Sequence, residues 1–351
     1  MRIVVNDIAA SSGGALSILK DFYEYVRNND NYNEWIFLVG CDCIAETDNI
    51  KVLILDKVKS SKIEKLKFDF ITGRKYINGL NPDVVFSMQN IITFGVKAKQ
   101  VLYVHQSIPF QKIKKFSFLN DAERPFAVYQ YIIGEMIKMS VKKSYRTIVQ
   151  TKWMKEAVIY STKVNENKIV NILPNVKSVN DNKSEEKSEA NNKSFFYPTG
   201  KGIYKNNNCI VDAVRILNEE GYNDFKVKLT IDGVKNTCSN IIYTGRISRQ
   251  AVFEEYKKSV LLFPSYIETF GYPLAEARMM GAIILASDCP FSREVLDGYC
   301  NAYFFDPFSP SELAVLMKKI IDGEIMKKNI SNTNIQTNDS WGKVWKEITQ
   351  I

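Results

Sequence analysis

Two glutamates, Glu268 and Glu276, stand on either side of seven residues whose middle reads Phe-Gly-Tyr-Pro-Leu. The apolar run before them, Val260–Phe263, predicts a buried strand, and Gly271 gives the backbone the freedom that a turn needs. Pro273 suits the first turn of a helix, because its missing N–H would have no partner there. We therefore expect Glu268 at the carboxyl end of a strand and Glu276 in the first turn of the next helix.

This arrangement suits the binding of a nucleoside diphosphate sugar. Free N–H groups at a helix start favour a negative diphosphate. One carboxylate can accept two hydrogen bonds from a ribose diol, and a second can accept from sugar hydroxyls. The alternative, two glutamates placed by chance on a solvated surface, is disfavoured by the proline, glycine and aromatic residues around them.

Strand-length apolar runs alternate with amphipathic helical stretches through most of the chain. This alternation predicts parallel sheets with helices on both faces. The expected strands are residues 3–6, 36–40, 52–55, 84–87, 101–105 and 147–150, then 195–198, 227–231, 241–244, 260–264 and 283–287. The expected helices include residues 15–27, 210–220, 253–258 and 310–322.

A polar stretch at residues 178–194 interrupts this alternation and has the composition of a linker. At 351 residues the chain is long enough for two domains. We expect a first domain at residues 1–175, a linker at 176–194, a second domain at 195–335, and a C-terminal helix at 336–351 that can return to the first domain. Ligands of two such doubly wound domains bind in the cleft at the carboxyl ends of the strands.

The composition argues against several other classes of protein. No stretch approaches the roughly 18 apolar residues of a spanning helix, and the opening MRIVVN predicts a first strand and not a signal peptide, so we expect a cytoplasmic protein. With one histidine and no Asp-x-Asp, a dedicated metal site is not expected. Cys41 and Cys43 could form a metal or redox pair, but small buried thiols are the favoured interpretation.

Positive charge is concentrated in one part of the chain. Residues 51–146 hold 18 Lys and Arg against 7 Asp and Glu, in a chain whose net charge is +8. Either this is a solvated basic face, or it meets an anionic substrate or anionic lipid head groups. For lipid, the expected apolar contacts are Phe110, Phe116, Phe118, Ile137 and Tyr145. Nucleic acid is disfavoured, because no nucleic-acid-binding module surrounds the charge.

The segment FPSYIETFGYPLAEARMMGAIILASDCPFSREVL (263–296) resembles the signature of retaining glycosyltransferases of the GT-B fold, the large family 4-like group. Four other segments resemble family segments in the same order: SSGGALSIL, KIVNILPNV, YPTGKGIYKNNNCIVDAVRIL and IIYTGRISRQAVFEEYKKSVLLFPS. The resemblance implies an α/β GT-B fold of two Rossmann-like domains that face a cleft. It covers the second domain nearly throughout and the first domain mainly at its glycine loop.

The resemblance also implies a reaction. A sugar would move, with retention, from a nucleotide-diphosphate sugar to a hydroxyl of a glycan or polyprenyl-linked acceptor, without a metal or other cofactor. Among relatives, residues 246–277 and 292–307 resemble bacterial enzymes that build capsule or O-antigen repeats on a lipid carrier. The basic surface would then give peripheral contact with the inner face of the cell membrane.

The family's donor residues can be placed on this chain. By resemblance, Glu276 binds the donor ribose and Glu268 binds the transferred sugar. The backbone N–H groups around Phe270, Gly271 and Tyr272 would hold sugar hydroxyls or phosphate.

Lys205 matches the family lysine that contacts the diphosphate. Where the family usually has an arginine about six residues earlier, this chain has Thr199, so Lys201 or Arg246 would supply the second cation. Two cations are expected, because negative charge grows on the leaving diphosphate.

The first domain would contribute His105, Gly13 and Gly14. His105 either lies near the transferred sugar, where such enzymes often have a histidine, or is a satisfied structural residue. The glycine pair allows either a tight turn or a close approach of phosphate, and its spacing disfavours a nicotinamide cofactor.

Two rival functions remain open. One is a nucleotide-sugar 2-epimerase-type isomerase of the same fold, which needs no acceptor. The other is a non-catalytic nucleotide-sugar-binding subunit of a larger synthase.

Overall fold

A computed structural model describes residues 1–11, 13–176, 192–232, 238–329 and 339–351. They form two wholly parallel β-sheets, as the strand–helix alternation predicted. Most of the expected linker falls on residues 177–191, which lie outside the described residues.

The first sheet has seven strands in the order β3-β2-β1-β4-β5-β6-β7. Its winding reverses between β1 and β4, as in doubly wound nucleotide-binding folds. All eleven strands expected in the two sheets agree with the structure within two residues at either end, and residues 36–40, 52–55 and 101–105 begin two residues late. The strands are β1 (Arg2–Asp7), β2 (Glu34–Val39), β3 (Ile50–Ile54), β4 (Val84–Ser87), β5 (Lys99–Val104), β6 (Arg146–Val149) and β7 (Ile169–Asn171).

The second sheet has six strands in the order β10-β9-β8-β11-β12-β13, and its winding reverses between β8 and β11. Its last strand and β7 of the first sheet were not predicted from the sequence. The strands are β8 (Ser194–Tyr197), β9 (Lys226–Leu229), β10 (Ile241–Tyr243), β11 (Val260–Phe263), β12 (Ile284–Ser287) and β13 (Ala302–Phe305).

Helices connect the strands of both sheets. Two of the connections contain a π-helical turn, at Phe68–Thr72 between α3 and α4 and at Val128–Ile133 between α5 and α6. The helices of the first half are α1 (Gly13–Asn29), α2 (Asp56–Lys59), α3 (Lys62–Lys67), α4 (Gly73–Gly79), α5 (Arg124–Ala127), α6 (Gly134–Lys143) and α7 (Lys152–Thr162). Those of the second half are α8 (Asn207–Glu219), α9 (Arg249–Lys258), α10 (Tyr272–Met279), α11 (Pro290–Val295), α12 (Pro310–Ile321) and α13 (Ser340–Thr349).

Successive residues of the central strands pack on opposite faces of a sheet. In β1, Ile3 and Val5 lie in one apolar cluster and Val4 lies in another. Both faces are therefore buried, which explains why these strands are apolar without alternation. No helix among the described residues is long and apolar enough to cross a membrane.

The last helix, α13, packs against the first half of the chain. Val344 and Ile348 are buried in the same apolar cluster as Phe22 of α1. The indole Nε1 of Trp345 donates to Asp30 at 2.6 Å. The helix that ends the chain thus stabilises the first sheet.

The prediction that five apolar residues face lipid is wrong for three of them. Phe110, Phe116 and Ile137 are buried in the apolar clusters of the protein. Phe118 and Tyr145 are exposed. An interleaved apolar and basic pattern is also what a helix or loop produces when its apolar side faces the core, and that is the situation here.

Candidate functional site

Lys205 and Glu268 meet at the point where the winding of the second sheet reverses. Lys205 ends a 3₁₀ turn, Ile203–Lys205, that follows β8, and Glu268 lies in the loop after the neighbouring strand β11. Parallel strands present their carboxyl ends at one edge, and this is where doubly wound folds bind ligands.

The two side chains form an ion pair, with Lys205 Nζ 2.6 Å from Glu268 Oε1. Ser265 Oγ donates to the same oxygen at 2.8 Å. Burial alone would lower the pKa of Lys205, but Glu268, together with Tyr197 and Tyr204, raises it above its ordinary value. Lys205 is therefore a permanent cation at this edge. Glu268 Oε2 accepts no hydrogen bond from the described residues and can accept one from a ligand.

The turn that carries Lys205 is tied to the loop that carries Glu268. The carbonyl of Tyr204 accepts from the amide of Tyr266 at 3.1 Å and lies 3.2 Å from Ser265 Oγ. Asn206 has a left-handed backbone, with φ of 57°, and its side chain donates to the carbonyl of Pro307 at 2.6 Å. These contacts hold the cation and the carboxylate in one place.

Gly271 directs the chain into α10. Its φ of +85° is in the left-handed region, and a Cβ there would lie 3.2 Å from Leu274 Cδ1, so a larger residue would be strained. Phe270 is buried, and its ring packs edge-on against Tyr272 at 5.3 Å. Within the described chain, the amide N–H groups of Phe270, Gly271 and Tyr272 donate to no protein acceptor, so they can bind an anion or a hydroxyl.

Glu276 lies in the second turn of α10 and not in the first. The helix begins at Tyr272, one residue before the proline that marked its expected start. Glu276 accepts from Tyr256 Oη at 3.2 Å and lies 3.4 Å from Arg249, so two residues of α9 orient its carboxylate. Burial raises the pKa of Glu276, although Arg249 and Tyr256 act in the opposite direction.

The two candidates for a second cation differ in their surroundings. Lys201 and Arg246 are both exposed. Arg246 lines a cavity of about 290 Å³ together with Thr199, the residue at the position of the family's arginine, and Thr230. Arg246 therefore lies where a cation could replace that arginine.

In the first half, His105 follows β5 directly and is held by Asn90. The amide N–H of His105 donates to Asn90 Oδ1 at 2.8 Å, which turns the Asn90 NH₂ group toward His105 Nε2 at 3.1 Å. Nε2 must then be the acceptor, so the proton of the neutral ring sits on Nδ1. Burial lowers the pKa of His105 to about 4, and Nδ1 has no hydrogen-bond partner among the described residues.

The glycine pair begins α1. Gly13 has a φ of +62°, and among the described residues a Cβ added at Gly13 or Gly14 would meet no atom within 4 Å beyond its chain neighbours and its own helix backbone. The need for glycine at residue 13 therefore comes from its backbone conformation and not from crowding within the protein.

A cavity of about 380 Å³ adjoins Glu268 and lies between the two halves. Its walls are largely apolar and include Phe110 and Trp153 from the first half and Tyr266 and Phe291 from the second. No group of three or more His, Cys, Asp or Glu side chains in the described ranges could hold a metal ion.

Comparison with known proteins identifies the second half of this architecture. Residues 200–337 match the model of the family "Glycosyl transferases group 1". This range contains Lys205, Glu268 and Glu276. Residues 200–337 therefore carry a group 1 glycosyltransferase domain.

One curated relative of this glycosyltransferase is the O-antigen chain mannosyltransferase RfbU of Salmonella typhimurium. It is 25% identical over an alignment of 287 residues that covers 74% of this chain and 78% of the relative.

Solved structures with the same fold include WaaG, a glycosyltransferase involved in lipopolysaccharide biosynthesis. The match has a TM-score of 0.72 and 12% identity, and covers 99% of this chain and 100% of WaaG. HepE of Anabaena in complex with UDP-glucose matches with a TM-score of 0.63 and 14% identity, over 99% of this chain and 95% of HepE. The GT-B fold expected from the resemblance is thus confirmed.

Sequence reasoning missed three residues that the glycosyltransferase places at the site. Arg249 and Tyr256 hold Glu276, and Trp153 of the first half reaches the loop of Glu268. Arg249 and Tyr256 are seven residues apart on α9, a spacing that puts them on one helix face and that could have suggested a shared partner. No local pattern marked Trp153.

Proposed function

We propose that this glycosyltransferase moves a sugar, with retention of its anomeric configuration, from a nucleotide-diphosphate sugar to an acceptor hydroxyl. The observation that carries this proposal is the Lys205–Glu268 pair beside the free N–H groups at the start of α10. Cation, carboxylate and backbone donors are what a diphosphate joined to a hydroxylated ring requires.

Each part of the donor has a candidate partner. Glu276, oriented by α9, would accept from the ribose diol, and Glu268 Oε2 would accept from a hydroxyl of the transferred sugar. Lys205 and Arg246, with Lys201 nearby in sequence, would neutralise the diphosphate. HepE, which has this fold, was solved with UDP-glucose, and that supports a nucleotide-sugar donor.

The reaction would depend on electrostatic stabilisation by the protein. As the bond to the diphosphate breaks, negative charge grows on the phosphate oxygens, and Lys205 is already positioned and charged. The proposed enzyme uses no metal, because fixed cations and helix N–H groups take up this charge. The acceptor hydroxyl would attack from the face that the diphosphate leaves, and a diphosphate oxygen would accept its proton.

The first half would contribute His105 to this centre. Nδ1 is buried and has no hydrogen-bond partner among the described residues, so the ring could donate its proton to a sugar or phosphate oxygen that a bound donor brings against it. Its neutral form at physiological pH suits a hydrogen-bond donor and not a fixed cation.

For the acceptor, we propose a glycan or polyprenyl-linked sugar in the biosynthesis of a bacterial surface polysaccharide, capsule or O-antigen. The support is the likeness to RfbU, named as an O-antigen chain mannosyltransferase, and to WaaG, named for lipopolysaccharide biosynthesis. The cavity beside Glu268 has room for part of such an acceptor.

We further propose a cytoplasmic enzyme in peripheral contact with the inner face of the membrane. Phe118 packs on Tyr131 at 5.7 Å, the next residue, Leu119, is 94% exposed, and Lys115, three residues before Phe118 in sequence, is also exposed. Exposed aromatic and basic groups together favour binding to an anionic lipid surface. The matching experiment is sedimentation with phosphatidylglycerol vesicles.

The experiment that tests the reaction combines a donor screen with product analysis. Nucleotide sugars are screened by the thermal shift that they cause, and the best donor is incubated with a lipid-linked glycan acceptor. NMR of the product should show the anomeric configuration of the donor. An inverted product would exclude the retaining mechanism. Epimerisation of the donor without an acceptor would favour the isomerase, and binding without turnover with any acceptor would favour the non-catalytic subunit.

A further inference from the structure

The loop between Glu268 and Gly271 is bound by the first half of the chain at one atom. The carbonyl oxygen of Thr269 accepts two hydrogen bonds, from Thr151 Oγ1 at 2.9 Å and from Trp153 Nε1 at 2.9 Å. Thr269 is the neighbour of Glu268. A shift of this carbonyl would therefore move the carboxylate and the free N–H groups of the loop.

A second contact fixes the helix that carries Trp153. Glu294 of α11 accepts from the amide of Lys152 at 2.7 Å and from the amide of Trp153 at 2.9 Å. These are the first two N–H groups of α7, which has no acidic residue in its first turn and no side-chain cap from Thr151. A carboxylate of the second half thus caps a helix of the first half, at the end where negative charge is most favourable.

Thr151 explains why the cap comes from the other half. A threonine before the first helical residue ordinarily accepts from the helix's own N–H groups. Here its hydroxyl donates across to Thr269, and Glu294 takes its place as the cap. In all four of these hydrogen bonds the first half donates and the second half accepts. We call Thr151, Trp153, Thr269 and Glu294 the inter-half latch.

We propose that Trp153 is a positioning residue for transfer: the latch couples the docking of the two halves to the placement of Glu268. The expected effect of the latch on turnover rests on the proposed transfer reaction. The expected effect on the loop does not depend on that reaction, because the contacts exist without a donor. When the latch opens, Lys205 and Ser265 still contact Glu268 from the second half, so the donor can bind. The loop then has no fixed position relative to the first half, where the acceptor would lie.

The test uses Trp153→Phe, which keeps an aromatic ring and removes the Nε1 donor, and the double variant Thr151→Val with Trp153→Phe. The matched control is Trp345→Phe. This variant also removes a hydrogen bond donated by an indole N–H, here to Asp30 at 2.6 Å. Trp345 is half-buried and lies far along the chain from the donor loop.

Turnover with donor and acceptor should fall about threefold to tenfold in Trp153→Phe, the effect of one net hydrogen bond, and further in the double variant. The dissociation constant for the nucleotide should stay within about twofold. Trp345→Phe should lower the melting temperature without lowering kcat at a temperature where it is folded.

Hydrogen exchange gives a readout that needs no activity. Amides in a peptide spanning residues 264–276 should exchange at least about threefold faster in the double variant than in the wild type, and at the wild-type rate in Trp345→Phe. Unchanged exchange of this peptide in the double variant would overturn the proposal. So would a fall in kcat that tracks melting temperature equally in Trp153→Phe and Trp345→Phe. If the wild type transfers no sugar, the proposed function fails, and the exchange result still decides whether the latch positions the loop.

Discussion

Replacing Lys205 by methionine tests the ion pair at the centre of the site. Methionine keeps much of the side-chain volume and removes the charge. It leaves Glu268, whose side chain is 18% exposed, with Ser265 as its described donor. Breaking a fully buried pair costs roughly 3–5 kcal/mol. Because both groups are partly exposed and screened by water, we expect a loss of about 1–3 kcal/mol in the free energy of unfolding.

The double variant Lys205→Met with Glu268→Gln separates stability from catalysis. Removing the second charge relieves the unpaired carboxylate, so the double variant should be more stable than the sum of the single losses predicts, by about 1 kcal/mol or more. Urea unfolding at pH 7 measures this coupling. Strictly additive losses would refute the claim that the two side chains stabilise each other.

Turnover should behave differently from stability. Loss of one preorganised group that stabilises transition-state charge lowers kcat by about 10²–10³-fold. The double variant should remain as inactive as Lys205→Met although its stability recovers. Glu268 holds the pKa of Lys205 above its ordinary value. The contribution of the ion pair to stability is therefore complete below the ordinary lysine pKa and is lost only as pH rises through the higher pKa of the folded protein. Recovery of turnover together with stability would assign Lys205 a purely structural role.

Four further outcomes are expected. Glu276→Ala should weaken nucleotide binding by about 1.5–3 kcal/mol in calorimetry, and an unchanged affinity in a folded variant would place Glu276 outside the ribose site. Because the pKa of His105 is lowered to about 4 in the folded protein, the free energy of unfolding should fall as pH drops from about 6.5 toward 4. His105→Gln should flatten this part of the pH profile of urea unfolding. An unaltered profile would contradict the buried neutral ring. The double variant Lys112→Glu with Lys115→Glu should release the protein from phosphatidylglycerol vesicles at low salt without changing nucleotide affinity. Lys114 is not replaced, because it forms an ion pair with Glu123 at 3.0 Å. EDTA should leave transfer intact, and loss of activity that Mg²⁺ restores would contradict a metal-free reaction.

Central strands were predictable because burial on both faces makes them nearly pure apolar runs. The expected bounds of Val84–Ser87 agree with the structure at both ends. Two of the four edge strands lack that signal and were not predicted. Ile169–Asn171 has three residues, and Ala302–Phe305 is only partly buried over its first three. These two strands owe their conformation to a neighbouring strand and not to a local pattern.

The site was predictable where its residues are near one another in sequence. Gly271 and Pro273 indicated the turn and the helix between the two glutamates, with an error of one residue at the helix start. The contact of Lys205 with Glu268 joins residues 63 positions apart, and the bond of Trp153 to Thr269 joins residues 116 positions apart. A single sequence carries no local trace of such contacts. The lysine was found through resemblance, and the tryptophan only through the structure.

The distribution of contacts predicts that donor affinity and transfer can be separated. Four residues orient the side chains of Glu268 and Glu276, namely Lys205, Ser265 and two residues of α9. All four belong to the second half. Apart from His105, donor binding therefore needs little from the first half. Transfer needs an acceptor held by the first half at a fixed distance from the sugar, and the carbonyl of Thr269 is where the first half holds the donor loop. Changes in the first half should consequently alter kcat and the acceptor KM, while changes on α9 should alter the affinity for the nucleotide.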